Sequence, residues 1–272
     1  MEELQHLRET ILKDYPRLGK SDSFNFECGP QVQCFNHCCA DVNIFLTPYD
    51  VLRMRKRLGI GSREFLDRYT LVPFDKSQKL PVPLFQMRED ETKACQFVDQ
   101  KTGCTIYEDR PWPCRIYPLG QASPGEGAEP GAEPFYFAMS EEFCKGHLSD
   151  HKWTVEEWLQ DQGVEVYNEW GDLFKGVSVH PKLLDDVNLK PEQVDIYWRA
   201  LYDLDEFREF IFKSTFLKRF EIDDDKIEAL KTDDEVLLRF GFDFVRMALF
   251  GEKTIHVKDH AIKELRERRI AS

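Results

Sequence analysis

Eight cysteines, all lying between Cys28 and Cys144, constrain this chain more than any other feature of it. They are Cys28, Cys34, Cys38, Cys39, Cys95, Cys104, Cys114 and Cys144, and the last 128 residues contain none. Four fall within the twelve-residue segment CGPQVQCFNHCC. A lone buried cysteine is an ordinary small core residue, but a group this dense is hard to assign to packing. A secreted disulfide scaffold is normally shorter and needs a signal peptide. The first ten residues, MEELQHLRET, have no apolar segment of that kind. The expectation is a cytoplasmic chain in a reducing compartment, where clustered thiols ligate metal or do redox chemistry.

Spacing narrows the chemistry. Zinc fingers and ribbons present sulfurs in C-x2-C knuckles, whose turn points both at one ion. No two cysteines here have that spacing, the shorter intervals containing five, three, zero, eight, nine and 29 residues. Cys144 and His147 form the one knuckle-like Cys-x2-His pair. Cys38 and Cys39 are adjacent, and neighbouring side chains point to opposite sides of an extended chain or about 100° apart on an α-helix. Such a pair can face two metals, or one sulfur can ligate while the other packs. Eight cysteines supply two four-ligand sites, or one cluster with ligands to spare. The irregular intervals suit an iron–sulfur or polynuclear site at least as well as a zinc knuckle. They match neither the usual ferredoxin runs nor a three-cysteine radical loop, where Asp41 would have to be a cysteine.

The rest of the chain follows from caps and periodicity. Residues 2–14 read as an amphipathic helix within an N-terminal segment 1–20. Thr47, Pro48, Asp50 and Gly59 mark a capped helix, and Ser62 caps a second one carrying Phe65, Leu66 and Tyr69. Leu71 to Pro118 is proline-rich and predicts loops and short strands. Residues 121–134, QASPGEGAEPGAEP, form a flexible excursion. Beyond it, Thr154 with Glu157, Asp203 with Glu206, and Thr232 with Glu235 fit capping boxes. Leu204, Phe207, Phe210, Ile211 and Leu217, then Val236, Leu237, Phe240, Phe244, Met247, Ala248 and Phe250, recur at helical intervals and predict a helical core. Both halves are acidic, with 22 acids against 17 bases over 1–144 and 28 against 20 over 145–272. That balance argues against a broad nucleic-acid footprint, and no apolar run approaches a membrane span. The basic run Arg53 to Arg57 reads as a solvated helix face. Asp223–Asp225 and Asp233–Asp234 read as helix starts.

With these residues in view, the chain resembles the YkgJ-type cysteine-cluster family, whose signature is written CxxCxxxCC and which is described as zinc- or iron-chelating. The resemblance is carried by Cys34-Phe-Asn-His-Cys38-Cys39, by Leu46-Thr-Pro-Tyr-Asp-Val51 and by Glu64-Phe-Leu66. A second motif agrees in order: Cys95-Gln-Phe, Gly103-Cys-Thr-Ile-Tyr107 and Arg110-Pro-Trp-Pro-Cys114-Arg-Ile-Tyr-Pro118. Five residues rather than two separate Cys28 from Cys34. A related group, the flagellin lysine N-methylases, carries similar clusters linked to an iron–sulfur centre.

The resemblance implies metal binding, and the chain is read as holding an iron–sulfur cluster, preferably of the 4Fe–4S type, or zinc, that orders the loops or carries electrons or metal to a protein partner. The alternative is an iron–sulfur-dependent enzyme such as a protein lysine N-methyltransferase. All eight cysteines are candidate ligands, and Cys144 is expected to fold back and tie the tail to the same site. His37 is a further candidate donor. Arg110 and Arg115 either offset thiolate charge or brace a turn through backbone carbonyls. The expected fold is α-rich and mixed, with short irregular strands. It comprises a small metal-held cysteine domain over 21–150 and a helical C-terminal region over 151–272.

The Gly/Ala/Glu/Pro tract cannot recover the entropy of its own ordering. Deleting residues 122–133 is therefore expected to leave metal binding intact and to change stability by less than about 1 kcal/mol. Loss of the metal, or a melting midpoint lowered by several degrees, would show the tract to be structural.

Overall fold

The computed structural model describes residues 16–73, 79–122, 134–139, 141–184, 189–261 and 263. The helix expected over 2–14 and residues 123–133 of the flexible excursion lie outside them. The chain is α-rich with short antiparallel strand pairs. It forms two compact units, and each is assembled from two separate stretches. One takes its residues from 1–44 and 87–168, the other from 45–86 and 169–272. This differs from a single division at residue 150. Residues 45–86 pack with the C-terminal helices because their two helices bury apolar faces there, and residues 151–168 complete the cysteine-bearing unit.

The cysteine-bearing unit closes on a compact apolar core that includes Phe24, Phe26, Ile116, Leu119, Trp158 and Leu159. Strand Ser23–Asn25 pairs antiparallel with Lys152–Thr154, setting Phe24 opposite Trp153. Leu119–Ala122 pairs with Phe135–Ala138. Thr154 and Glu157 form the expected capping box at the start of helix Val155–Asp161. That helix carries Trp158, whose indole N–H donates to the Ile116 carbonyl at 3.0 Å. Burying such a ring while satisfying its one donor fixes the helix against the turn that follows Cys114.

In the second unit, helix Pro48–Leu58 begins at a reciprocal Thr47–Asp50 capping box and ends at Gly59, whose φ of 67° needs a residue without a Cβ. Two expectations about caps are corrected. Ser62 is the first residue of helix Ser62–Tyr69 and Gly61 precedes it as the cap. The serine is drawn inward because its hydroxyl donates to Asp203 at 2.8 Å, while its N–H meets Asp205 at 2.7 Å. Thr232 ends helix Asp224–Thr232, and Asp233 caps the next helix, Asp234–Phe250, by accepting from the Glu235 and Val236 amides. A carboxylate at that position satisfies two orphan donors and complements the helix dipole.

The aromatic stripe is core, as its period implies. Phe207 stacks on Phe244 with ring centroids 5.6 Å apart, and Phe216 meets Phe244 edge-on at 5.3 Å. Gly241 lets two helices approach closely, since a Cβ there would stand 2.2 Å from the Ala200 carbonyl oxygen. No helix among the described residues is long and apolar enough to cross a membrane.

The basic run is not wholly a solvated face. Met54 and Arg55 are buried, and Arg55 pairs with Asp234 at 2.6 Å. Asp234 also accepts from Arg208, so one carboxylate is shared by two guanidinium groups. Burial alone would raise the Asp234 carboxyl, but Arg208 and Arg55 together hold it below its ordinary value. Its stabilisation is complete above the ordinary carboxylate range and is lost as pH falls through the lowered native value. Asp234→Asn is expected to cost about 1–3 kcal/mol at pH 7, read from urea midpoints. The gap between wild type and variant should narrow below about pH 4. Equal midpoints at pH 7 would remove this pair from the interactions that hold the unit.

Candidate metal centre

The loop from Cys28 to Cys39 is a succession of tight turns, with amides of Val32, Phe35, His37 and Cys39 each bonded to the carbonyl three residues back. Such a loop buries few apolar groups, so polar pins fix it. Asn36 takes a left-handed conformation, φ 67°, which a short amide side chain tolerates. Its Nδ2 donates to the carbonyls of Asp99 and Gln100 at 3.1 and 3.3 Å. The hairpin it grips pairs Val98–Asp99 with Gly103–Cys104. Gly103 has φ 87°, and a Cβ there would lie 2.8 Å from the Phe35 ring. Both the conformation and the close approach require glycine.

The remaining segments are tied to the loop by backbone. The Cys95 amide donates to the Cys39 carbonyl at 2.7 Å, and Ala40 bridges to Ala94. Cys104 belongs to the gripped hairpin, and Cys114 sits on the short helix Trp112–Ile116. Beyond the excursion the chain returns: the Glu27 amide donates to the Gly146 carbonyl at 3.1 Å. The Lys145 amide donates to Cys34 Sγ at 3.0 Å, and Cys144 packs against the apolar core. The structure therefore brings cysteines from all these segments into one unit, and all eight are free thiols.

Cys28, Cys34, Cys38 and Cys144 line one cavity, together with Phe26, Val32, Tyr117 and Phe143. Its volume is about 10 Å³, room for one water-sized sphere. Among the described residues, no three or more His, Cys, Asp or Glu side chains are drawn together tightly enough to hold a metal ion. Ligation therefore requires the sulfurs to move inward. The donor set suits a thiophilic metal, with Sγ atoms of Cys34 and Cys95 already accepting amide N–H donors, the latter from Phe97 at 3.4 Å.

Electrostatics follows this layout. Burial, then the thiols of Cys38, Cys34 and Cys144, pushes Cys28 up to about 11. The hydrogen bond from Cys39 lowers Cys38 to about 7, and the same contact with burial raises Cys39. Burial also raises Cys95 and Cys104, partly offset at Cys104 by Arg110. The Tyr117 phenol is raised as well, first by burial and then by Cys144.

The auxiliary candidates are placed more plainly. Arg110 bonds the Tyr107 carbonyl and the Gln162 side chain, and lies over the Tyr107 ring at 3.6 Å. Arg115 bonds the Gln162 carbonyl, and the Glu108 carbonyl at 2.7 Å. Both arginines brace the turns around Cys114, and Arg110 acts on Cys104 as well. His37 is exposed and stacks on Phe143 at 5.3 Å. His147 packs against Phe26, with ring centroids 5.5 Å apart, and is not among the residues lining the small cavity. Sequence reasoning missed Asn36, Gln162 and the amide donors of Phe97 and Lys145. Only Asn36 had a visible signal, a turn-forming residue inside the cysteine loop.

No curated protein and no solved structure matches the chain. Residues 27–145, the stretch that holds all eight cysteines, match the family model CxxCxxCC, described as “Putative zinc- or iron-chelating domain”.

Proposed function

We propose that the protein is a metal–thiolate protein in which the eight cysteines supply the ligands of an iron–sulfur centre of the 4Fe–4S type, with ligands to spare, and that it passes electrons or metal to a protein partner in the cytoplasm. The observation that carries this reading is the convergence of cysteines from separated segments: the Cys39 carbonyl bonds the Cys95 amide, and Cys144 returns to line a cavity with Cys28, Cys34 and Cys38. The match to a zinc- or iron-chelating domain supports the metal. The irregular cysteine intervals suit a cluster at least as well as zinc, and amide donors to sulfur are a recognised means of tuning such a centre. A cluster is larger than the 10 Å³ cavity, so holding one requires the cysteine segments to rearrange. When bound, the centre supplies one-electron chemistry and a covalent tie between loops.

A second reading is an iron–sulfur-dependent enzyme such as a protein lysine N-methyltransferase. A groove of about 470 Å³ beside the cysteine loop, lined by residues including Asn36, His37, Asp41 and Phe143, favours it. Asn36 and Asp41, both in the left-handed conformation that Asn and Asp tolerate, are among its lining residues.

Anaerobic purification of the full chain, with iron, zinc and sulfide analysis and a visible spectrum, tests the first reading. Iron and inorganic sulfide with broad visible absorption are expected, and chelation should lower the melting midpoint. Colourless protein carrying only zinc would replace the cluster with a structural ion, and protein without metal would overturn the reading. Methyl transfer from S-adenosylmethionine to lysine peptides, lost in a His37→Ala variant, would establish the second.

A further inference from the structure

Cys28, Cys34, Cys38 and Cys144 share the small cavity with the phenol ring of Tyr117. We propose that the Tyr117 hydroxyl is the hydrogen-bond donor to the Cys144 sulfur once that sulfur holds metal. This rests on the metal-binding reading above and adds to it a residue that is not a ligand.

Tyr117 is fixed from both sides by its backbone neighbours. The Ile116 carbonyl accepts from the Trp158 indole at 3.0 Å, and the Pro118 carbonyl accepts from the Met139 amide at 2.8 Å. The Tyr117 ring meets Phe26 edge-on with centroids 5.9 Å apart, and Tyr117 and Cys144 pack against the same apolar core. The ring therefore stays in place while the thiols beside it draw together.

Its hydroxyl oxygen is shut off from solvent and has no hydrogen bond of proper geometry. Glu27, the carboxylate in the cavity wall, is already engaged by Gln31 at 2.8 Å and Ser149 at 2.9 Å. Among the thiols, Cys144 acts on Tyr117 most strongly. A buried hydroxyl without a partner is costly, and folded proteins keep few of them. Phenylalanine would make the same ring contacts without that cost. The oxygen becomes an asset when an acceptor arises beside it. A neutral thiol accepts weakly, whereas a thiolate takes a charge-assisted bond about twice as strong as a neutral one. Ligation removes the thiol proton and so creates the missing acceptor. Cys34 already receives an amide donor of this kind from Lys145, and Tyr117 supplies the equivalent for Cys144.

The test compares the full chain with Tyr117→Phe, both purified anaerobically and then stripped by a chelator. The metal-free variant is expected to melt no lower than metal-free wild type, because it loses only an unpartnered hydroxyl. Reloaded with zinc, or with iron and sulfide, the variant should melt below wild type. In competition with the chelator it should hold metal about 10–100-fold less tightly. A merely structural hydroxyl gives the same change in both states, so an equal fall with and without metal overturns the proposal. Loss of fold in the metal-free variant does the same. A phenolate-to-iron absorption band in wild type that Tyr117→Phe abolishes would make Tyr117 a ligand, and also overturns it. Equal affinity in two normally loaded proteins sinks this proposal alone. Wild type that takes up neither metal sinks the metal-binding reading together with it.

Discussion

The cysteine-bearing unit depends on how a loop with little apolar content is held still. From Cys28 to Cys39 the chain is all turns, and the hydrophobic effect has little there to act on. Its position comes from the amide of Asn36 on two carbonyls and from the Cys39–Cys95 backbone bond. Each such bond contributes about 0.5–1.5 kcal/mol net, modest against the entropy of ordering a dozen residues. Metal–thiolate bonds are the natural remaining contribution, because in small metal domains ligation energy is folding energy.

The arginines beside the loop show how charge is managed near such thiols. Arg110 and Arg115 are both buried, and both donate to carbonyl and amide oxygens of nearby turns. Gln162 serves both, through its side chain and its backbone. Guanidinium groups fixed in this manner keep their charge in place near Cys104 and Cys114 without requiring a carboxylate partner. A carboxylate would compete with the thiols for metal. The second unit uses the opposite device, with Asp234 set between Arg55 and Arg208.

Much of this was legible in the residues. The capping boxes at Thr47 and Thr154 and the αL glycine at position 59 are short-range chemistry, and the structure has them where the pattern does. The aromatic stripe after Asp233 was legible because a 3.6-residue period survives in one sequence. Ser62 and Thr232 were misplaced for one reason: an aspartate near in space or sequence outcompeted a hydroxyl as the cap acceptor. The allegiance of residues 45–86 was not legible, since a helix pattern shows which face is apolar and not what covers it. At the candidate centre the cysteines announced themselves. The amide donors of Phe97 and Lys145 did not, because every residue but proline carries such a group.

The interleaving of the two units bears on the order in which the chain can mature. Strand Ser23–Asn25 finds its partner only at Lys152–Thr154, about half a chain later. During synthesis the thiols of the first loop emerge long before Cys144 and the strand that closes their unit. Until then they are reduced, clustered and accessible, with an intervening helical stretch committed to the other unit. A nascent chain in that condition is vulnerable to stray copper and to peroxide. The unit that gathers the thiols is therefore completed late, only after residues well past the last cysteine have been released.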